Sequence, residues 1–210
     1  KNIIALAVAS AIAAPAAMAD APVVYGQMNM ALEQIDKEVA GDKNDAKSGA
    51  QVNSIASRLG IKGSEDLGDG LKAIYKVEFG LTPDSGDAMS NRNQYVGLAG
   101  GFGTVLMGRH DTPTKMIQAK DLFNDGVADN GKIAGGLGAL GKSMENRLSN
   151  VVAYVSPSFS GVKLILAGTS PSTDSADDRS ITGGTHAAVT YGSTKKGLFL
   201  SAGMNSFDKE

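Results

Sequence analysis

The chain has no cysteine and no tryptophan, tyrosine and phenylalanine make up only 5% of its 210 residues, and its formal net charge is -2. Without cysteine there is no disulfide, no thiolate nucleophile and no cysteine-built zinc site, a composition that suits an exported protein avoiding oxidative crosslinks. The near-neutral charge gives nucleic acid no electrostatic footprint to bind. No internal apolar run reaches the ~20 residues that a membrane-spanning helix requires. Catalytic groups are scarce as well. The only imidazoles are His110 and His186. Although His110-Asp111 suggests part of a triad, neighbours on an extended chain point to opposite sides and no nucleophile elbow is present. Asp174, Asp177 and Asp178 lack the spacing of a calcium loop. Gly136 to Ser143 fits the phosphate-loop pattern letter for letter, but that loop works only between a buried strand and a helix, and neither flanks it here. The sequence therefore offers no enzyme, no cofactor and no metal site.

What the chain does have is glycine, 27 residues of it, and alternation. Lys1-Asn2 is a short basic start, Ile3 to Ala17 is apolar and small, and Ala17-Met18-Ala19 is a small-x-small cleavage site. Residues 1–19 read as a secretory signal peptide, and the fold starts at about Asp20. From Val23 the pattern has period two. Val24, Gly26, Met28, Met30 and Leu32 lie on one side, with Tyr25, Gln27, Asn29 and Glu33 on the other. After a polar loop from Asp36 to Ser48, a second strand from Gln51 places Ile55, Leu59 and Ile61 opposite Arg58 and Lys62. In a third, Leu71, Ala73, Tyr75, Val77, Phe79 and Leu81 stand opposite Lys72, Lys76 and Glu78. Further strands are expected over Asn91 to Leu98, Thr104 to Arg109, Asn146 to Ser156, Val162 to Gly168, His186 to Gly192 and from Leu198, nine in all. Gly97, Ala99 and Gly108 blur the faces of the fourth and fifth, and are read as small outward residues against which another subunit packs.

A soluble sandwich also alternates, so alternation alone does not separate it from a membrane barrel. Two further features do. The strands run to about ten residues, the length a tilted strand needs to cross a bilayer. The connections alternate long and short, because strands of opposite direction end on opposite sides of the membrane. The fold class expected is an all-β, antiparallel up-and-down transmembrane barrel. Nine strands do not close a bacterial barrel, which has an even number, so residues 20–210 are read as the N-terminal portion of a larger one.

Between Asp111 and about Gly141 lie some 30 residues that are not strand-like, a connection long enough to suggest a functional loop. Asp121, Asp125 and Asp129 recur along it at four-residue spacing, while the flanking strands carry Arg92, Arg109 and Arg147. Acids on a loop facing arginines on a wall set up a strong transverse field across a water-filled gap.

These pieces resemble a general porin of Gram-negative bacteria. The resemblance is carried by Val24-Tyr25-Gly26, by Ser57-Arg58-Leu59-Gly60-Ile61-Lys62-Gly63-Ser64-Glu65-Asp66-Leu67-Gly68, and by Asn91 to Asp111 with its Gly100-Gly101-Phe102-Gly103 turn. Asp121-Leu122-Phe123, Asn146-Arg147-Leu148-Ser149-Asn150 and Ser156-Pro157-Ser158-Phe159-Ser160-Gly161 continue it. It implies a homotrimer of roughly 16-stranded barrels in the outer membrane, in contact with its lipids, passing small hydrophilic solutes and ions. It also implies a constriction in which a basic wall of Arg58, Lys62, Arg92, Arg109 and Arg147 faces an inward loop bearing Asp111, Asp121, Asp125 and Asp129. A structural or adhesive surface barrel without an open pore is the alternative expectation. The inward cations favour anions, and the loop aspartates oppose them.

Overall fold

The structure, a computed structural model, describes residues 20–35, 49–118, 146–170 and 183–207. The signal peptide expected over 1–19, the inward loop beyond residue 118 with Asp121, Asp125 and Asp129, and the loop segments 36–48 and 171–182 lie outside the described residues.

Among the described residues eleven strands follow one another: β1 (Asp20–Gln27), β2 (Met30–Ile35), β3 (Gly49–Ser54), β4 (Arg58–Gly68), β5 (Leu71–Gly80), β6 (Ser90–Gly100), β7 (Gly103–Asp111), β8 (Arg147–Val155), β9 (Val162–Thr169), β10 (Gly184–Ser193) and β11 (Lys196–Phe207). A single-turn helix, α1 (Pro113–Met116), follows β7. Nine of the strands make one sheet in the order β1-β4-β5-β6-β7-β8-β9-β10-β11, a meander in which each strand pairs antiparallel with the next. β2 and β3 form a separate two-stranded sheet. The nine sheet strands correspond to the nine expected, but the first two expected strands are each broken. Ala56 takes a positive φ of 53° at the second break. There the Ser57 hydroxyl donates to the Asn29 carbonyl (3.1 Å) and accepts from the Asn29 amide (3.0 Å). A side chain thus supplies partners that the interrupted ladder no longer gives.

The short connections fold as the sequence predicts, and for a local reason. In the β4–β5 turn Asp69 and Gly70 both have positive φ, 51° and 75°, and in the β8–β9 turn so do Ser160 and Gly161, 49° and 87°. Two consecutive left-handed residues are what the tight hairpin turn matching strand twist requires.

Register fixes the two faces. Tyr25 pairs with Gly60, Gly60 with Glu78, Lys62 with Lys76, Lys76 with Tyr95, Tyr95 with Gly108 and Gly108 with Val151. Directly paired residues point the same way. The chain of pairs runs on through Ala153, Ala167 and His186 to Asn205. This is the face that carries α1, whose following residue Ile117 packs on buried Ile165 and Ala188. A second buried cluster on it holds Leu106, Val151, Ala153 and Ala167. The opposite face exposes large apolar side chains along the sheet, among them Val24 at 67%, Val96 at 56%, Met107 at 54% and Leu200 at 56%. A soluble sheet would cover such a band; a sheet immersed in lipid presents it.

One expectation is corrected here. Gly97 pairs with Leu106, Ala99 with Lys72 and Gly108 with Tyr95, so all three small residues lie on the α1 face and not outward. The glycines that blurred the alternation make room for neighbouring chain. A Cβ on Gly97 or Gly108 would collide with the carbonyls of Val105 and Gln94 respectively.

Candidate functional site

At the end of the sheet bearing the long connections, the α1 face holds a polar recess of about 380 Å³. Its lining comes from five strands of the sheet: Tyr25 and Gln27 of β1, Arg58 of β4, Lys76 and Glu78 of β5, Arg92 and Asn93 of β6, and Asp111 of β7. The sequence places Arg58, Lys76 and Glu78 here by simple parity. Arg92 arrives by a different device. Val77 pairs with Gln94 and Phe79 with Asn91, so Glu78 alone faces the two residues Arg92 and Asn93. This β-bulge brings both of them to the lining of the recess, which strict alternation would not do.

Glu78 is the centre of the recess and only 4% exposed. One of its oxygens accepts from Arg92 Nε at 2.7 Å; the other accepts from Tyr25 Oη at 2.7 Å and meets Lys76 Nζ at 3.0 Å. A buried carboxylate is tolerated only when paired and hydrogen-bonded, and here three donors satisfy it. Glu78 sat on the polar face in the sequence, but nothing in one strand's pattern marks it as the hub. Its partners come from β1, β5 and β6.

Tyr25 is held in turn by the absence of a side chain. Its ring lies over Gly60, where a Cβ would come within 2.6 Å of Cζ and Oη. Lys62 Nζ and Lys76 Nζ stand 5.4 Å and 5.7 Å from the same ring's centroid, a cation–π geometry.

Beside this hub lies a second ionic group. Arg147, first residue of β8, pairs with Asp111, last of β7, with Nε 3.0 Å from Oδ1. Asn93 ties the two together, accepting from Arg147 Nε at 2.8 Å and donating to Asp111 Oδ2 at 2.9 Å. Arg58 donates to Gln27 Oε1 at 3.2 Å. Of the predicted site residues, the fold thus gathers Arg58, Arg92, Arg147 and Asp111, with Lys62 adjacent. Four cations (Arg58, Lys76, Arg92, Arg147) meet two carboxylates (Glu78, Asp111) among the described residues, leaving two positive charges uncompensated.

Arg109 stands apart. It pairs with Gln94, which pairs with Val77, on the exposed apolar face, and it donates to the Asn91 carbonyl (3.3 Å) and Ser149 Oγ (2.9 Å). Where β7 leaves the sheet, a third polar group fixes α1 against β10 and β11. Thr114 of α1 exchanges hydrogen bonds with Asn205 of β11 at 2.8 and 3.1 Å, and Asn205 Oδ1 meets His186 Nδ1 at 3.0 Å.

Known proteins share this arrangement of strands. The sequence pattern of the Gram-negative porin family matches residues 5–210. The chain is 31% identical over 167 residues to the major outer membrane protein P.IB of Neisseria gonorrhoeae, covering 77% of this chain and 45% of that protein. It is 35% identical over 179 residues to outer membrane porin protein 32 of Delftia acidovorans, covering 77% and 47%. The chain spans about half the length of these relatives. Among solved structures, an anion-selective porin from Comamonas acidovorans superposes with a TM-score of 0.71 at 23% identity, over 89% of this chain and 57% of that one. OmpF of Salmonella typhi, solved with daunomycin, gives 0.61 at 16% identity, over 88% and 53%. The chain belongs to the Gram-negative porin family, and is thus an outer-membrane protein of β-barrel architecture.

Proposed function

We propose that this chain forms the wall and constriction of a passive diffusion channel for small hydrophilic solutes and ions, preferring anions, in a barrel that assembles as a homotrimer. In the closed barrel the apolar face meets lipid and the α1 face lines the lumen, which brings the Glu78 recess to the water path. The observation that carries the reading is the crowding of Arg58, Lys76 and Arg92 around one carboxylate on that inner face. A guanidinium keeps its charge in a narrow, poorly solvated space, so such a wall holds its field at any physiological pH. The anion-selective character of the Comamonas porin supports the sign of the preference.

α1 and residue Ile117 turn the chain inward from β7 and seat it against β9, β10 and β11. The segment that continues from there to about residue 141 is the constriction loop in this reading, and Asp121, Asp125 and Asp129 are its acidic side. Residues 1–19 are the export signal that precedes the barrel.

The test is insertion of the complete native protein, purified from outer membranes, into a planar lipid bilayer. Stepwise openings in groups of three support the trimeric channel. A folded protein that inserts and stays silent overturns it in favour of a structural or adhesive barrel.

A further inference from the structure

The short connections of the sheet differ in charge. The β6–β7 turn (Gly100-Gly101-Phe102-Gly103) and the β8–β9 turn (Pro157 to Gly161) carry none, and the end of β4 with its turn carries Glu65, Asp66 and Asp69. Of these four connections, only the β10–β11 turn holds cations without acids, Lys195 and Lys196 side by side. It is a tight reversal. Ser193 pairs with Lys196, the Ser193 hydroxyl accepts from the Lys195 amide at 3.2 Å, and Gly192 and Gly197 on either side take φ of 80° and 74°. Both lysines are exposed, and neither ammonium has a carboxylate partner among the described residues. Two neighbouring cations held on one short turn call for a counter-ion from outside the chain.

The surface behind the two lysines is apolar and faces outward. Tyr191 has Val162 and Leu200 as register partners on the side of the sheet opposite His186, and all three are exposed. The Tyr191 ring lies 3.4 Å from where a Cβ on Gly161 would stand, and the Gly192 amide donates to the Gly161 carbonyl at 3.0 Å, so the two neighbouring turns form one tied rim. Phe159 and Leu198 add exposed apolar surface to it. This is the last row of the band that faces lipid, and an aromatic ring at the edge of such a band sits where hydrocarbon meets headgroups. Lys196 is four residues from Leu200, roughly 13 Å along the strand. A lysine's flexible stem lets its ammonium lie back over apolar surface while the charge stays in water. The two ammonium groups therefore stand at the depth of the lipid phosphates.

We propose that Lys195 and Lys196 bind the headgroup of an anionic phospholipid in the leaflet on the short-turn side, with its acyl chain laid along Val162, Tyr191 and Leu200. The phosphate supplies the counter-ion that the turn lacks, and the apolar row supplies the seat for the chain. The acids of the β4–β5 turn repel the same lipid, so it collects beside β9 to β11 and not around the whole rim. The site needs the barrel to stand in a membrane; it does not depend on whether the pore conducts.

The experiment places a tryptophan reporter at the rim of the complete protein by Tyr191→Trp and reads its fluorescence, as the difference from the parent, in bilayers of phosphatidylcholine mixed with phosphatidylglycerol. Brominated acyl chains on one lipid or the other quench the reporter, and the two quenching curves give the ratio of local binding constants. A preference for phosphatidylglycerol of about fivefold or more is expected, since one lysine at an anionic lipid surface contributes about that factor. Adding Lys195→Gln and Lys196→Gln brings the ratio to about one, and Lys195→Arg with Lys196→Arg keeps it. Leu198→Trp serves as the reporter if Tyr191→Trp does not assemble. A second reporter, Leu67→Trp beside the acidic β4–β5 turn, is expected to show no preference for the anionic lipid. A ratio near one at the lysine rim, or one that survives the double glutamine change, overturns the site. An equal preference at Leu67→Trp overturns it as well, because the attraction then belongs to the barrel as a whole.

Discussion

Replacing Glu78 by glutamine removes a charge from the centre of the recess while keeping the side chain's shape and one acceptor for Tyr25. The six charged groups of the site then carry three uncompensated positive charges in place of two. For an ion passing about 7 Å from the lost carboxylate, Coulomb's law in water gives about 0.6 kcal/mol, roughly halved by screening at 0.1 M salt. The change favours an anion and disfavours a cation by the same amount, so the difference between them is about 0.6 kcal/mol, near threefold in the ratio of permeabilities. A lower effective dielectric beside the buried side chain makes threefold the smaller end of the range. The assay is the reversal potential of Glu78→Gln against the native channel across a tenfold KCl gradient. Glu78 also joins Lys76 and Arg92, and breaking a buried ion pair costs about 3–5 kcal/mol, less here because both cations are partly exposed. Glu78→Asp, which keeps the charge, separates that loss of stability from the electrostatic effect. An unchanged potential in a folded Glu78→Gln channel, or a shift toward cations, refutes the reasoning.

Other substitutions probe the remaining groups. Arg58→Ala removes one positive charge from the recess and is expected to move the reversal potential toward cations by a comparable factor, about threefold in permeability ratio. Arg109→Ala, on the lipid-side face, is expected to leave that potential where it is; a shift equal to that of Arg58→Ala would place its charge in the lumen. Tyr25→Phe deletes the hydroxyl that donates to Glu78 and is expected to cost about 1.5–3 kcal/mol in thermal or denaturant unfolding, as loss of a hydrogen bond to a charged, buried acceptor does. Asn205→Leu cuts the α1 anchor and leaves Thr114 and His186 each short of one partner, an expected loss of about 1–3 kcal/mol, read in the same unfolding assay.

Much of the fold is legible in the sequence because a strand with one face in lipid and one in water must alternate, and because tight turns demand Gly, Asp or Ser at left-handed positions. β4 and β5 show this best: Arg58 and Lys62, then Lys72, Lys76 and Glu78, fall on the inner face by counting alone. The chain is less legible wherever alternation is interrupted. Ala56 splits an expected strand by taking a positive φ that its side chain does not advertise. Gly97, Ala99 and Gly108 look like a gap on the outside, yet all three lie on the inner face, where the two glycines are close-approach positions. The bulge at Arg92-Asn93 gathers two residues onto one face, whereas parity would separate them. Arg109 is read as a wall residue because its strand flanks the long loop and the family resemblance sets it beside the basic wall, yet register turns it to the other side. The role of Glu78 depends on donors from β1 and β6 as well as on Lys76 of its own strand, and contacts 53 and 14 residues away are invisible to any short window.

The central claim is that the inner wall's surplus of positive charge sorts the ions that pass. The most direct measurement is the reversal potential of the complete native channel in a planar bilayer across a tenfold KCl gradient. The account predicts a potential with the sign of chloride preference, shrinking as total salt is raised and the fixed charges are screened. A potential of the opposite sign, or one of zero at low salt, would contradict it.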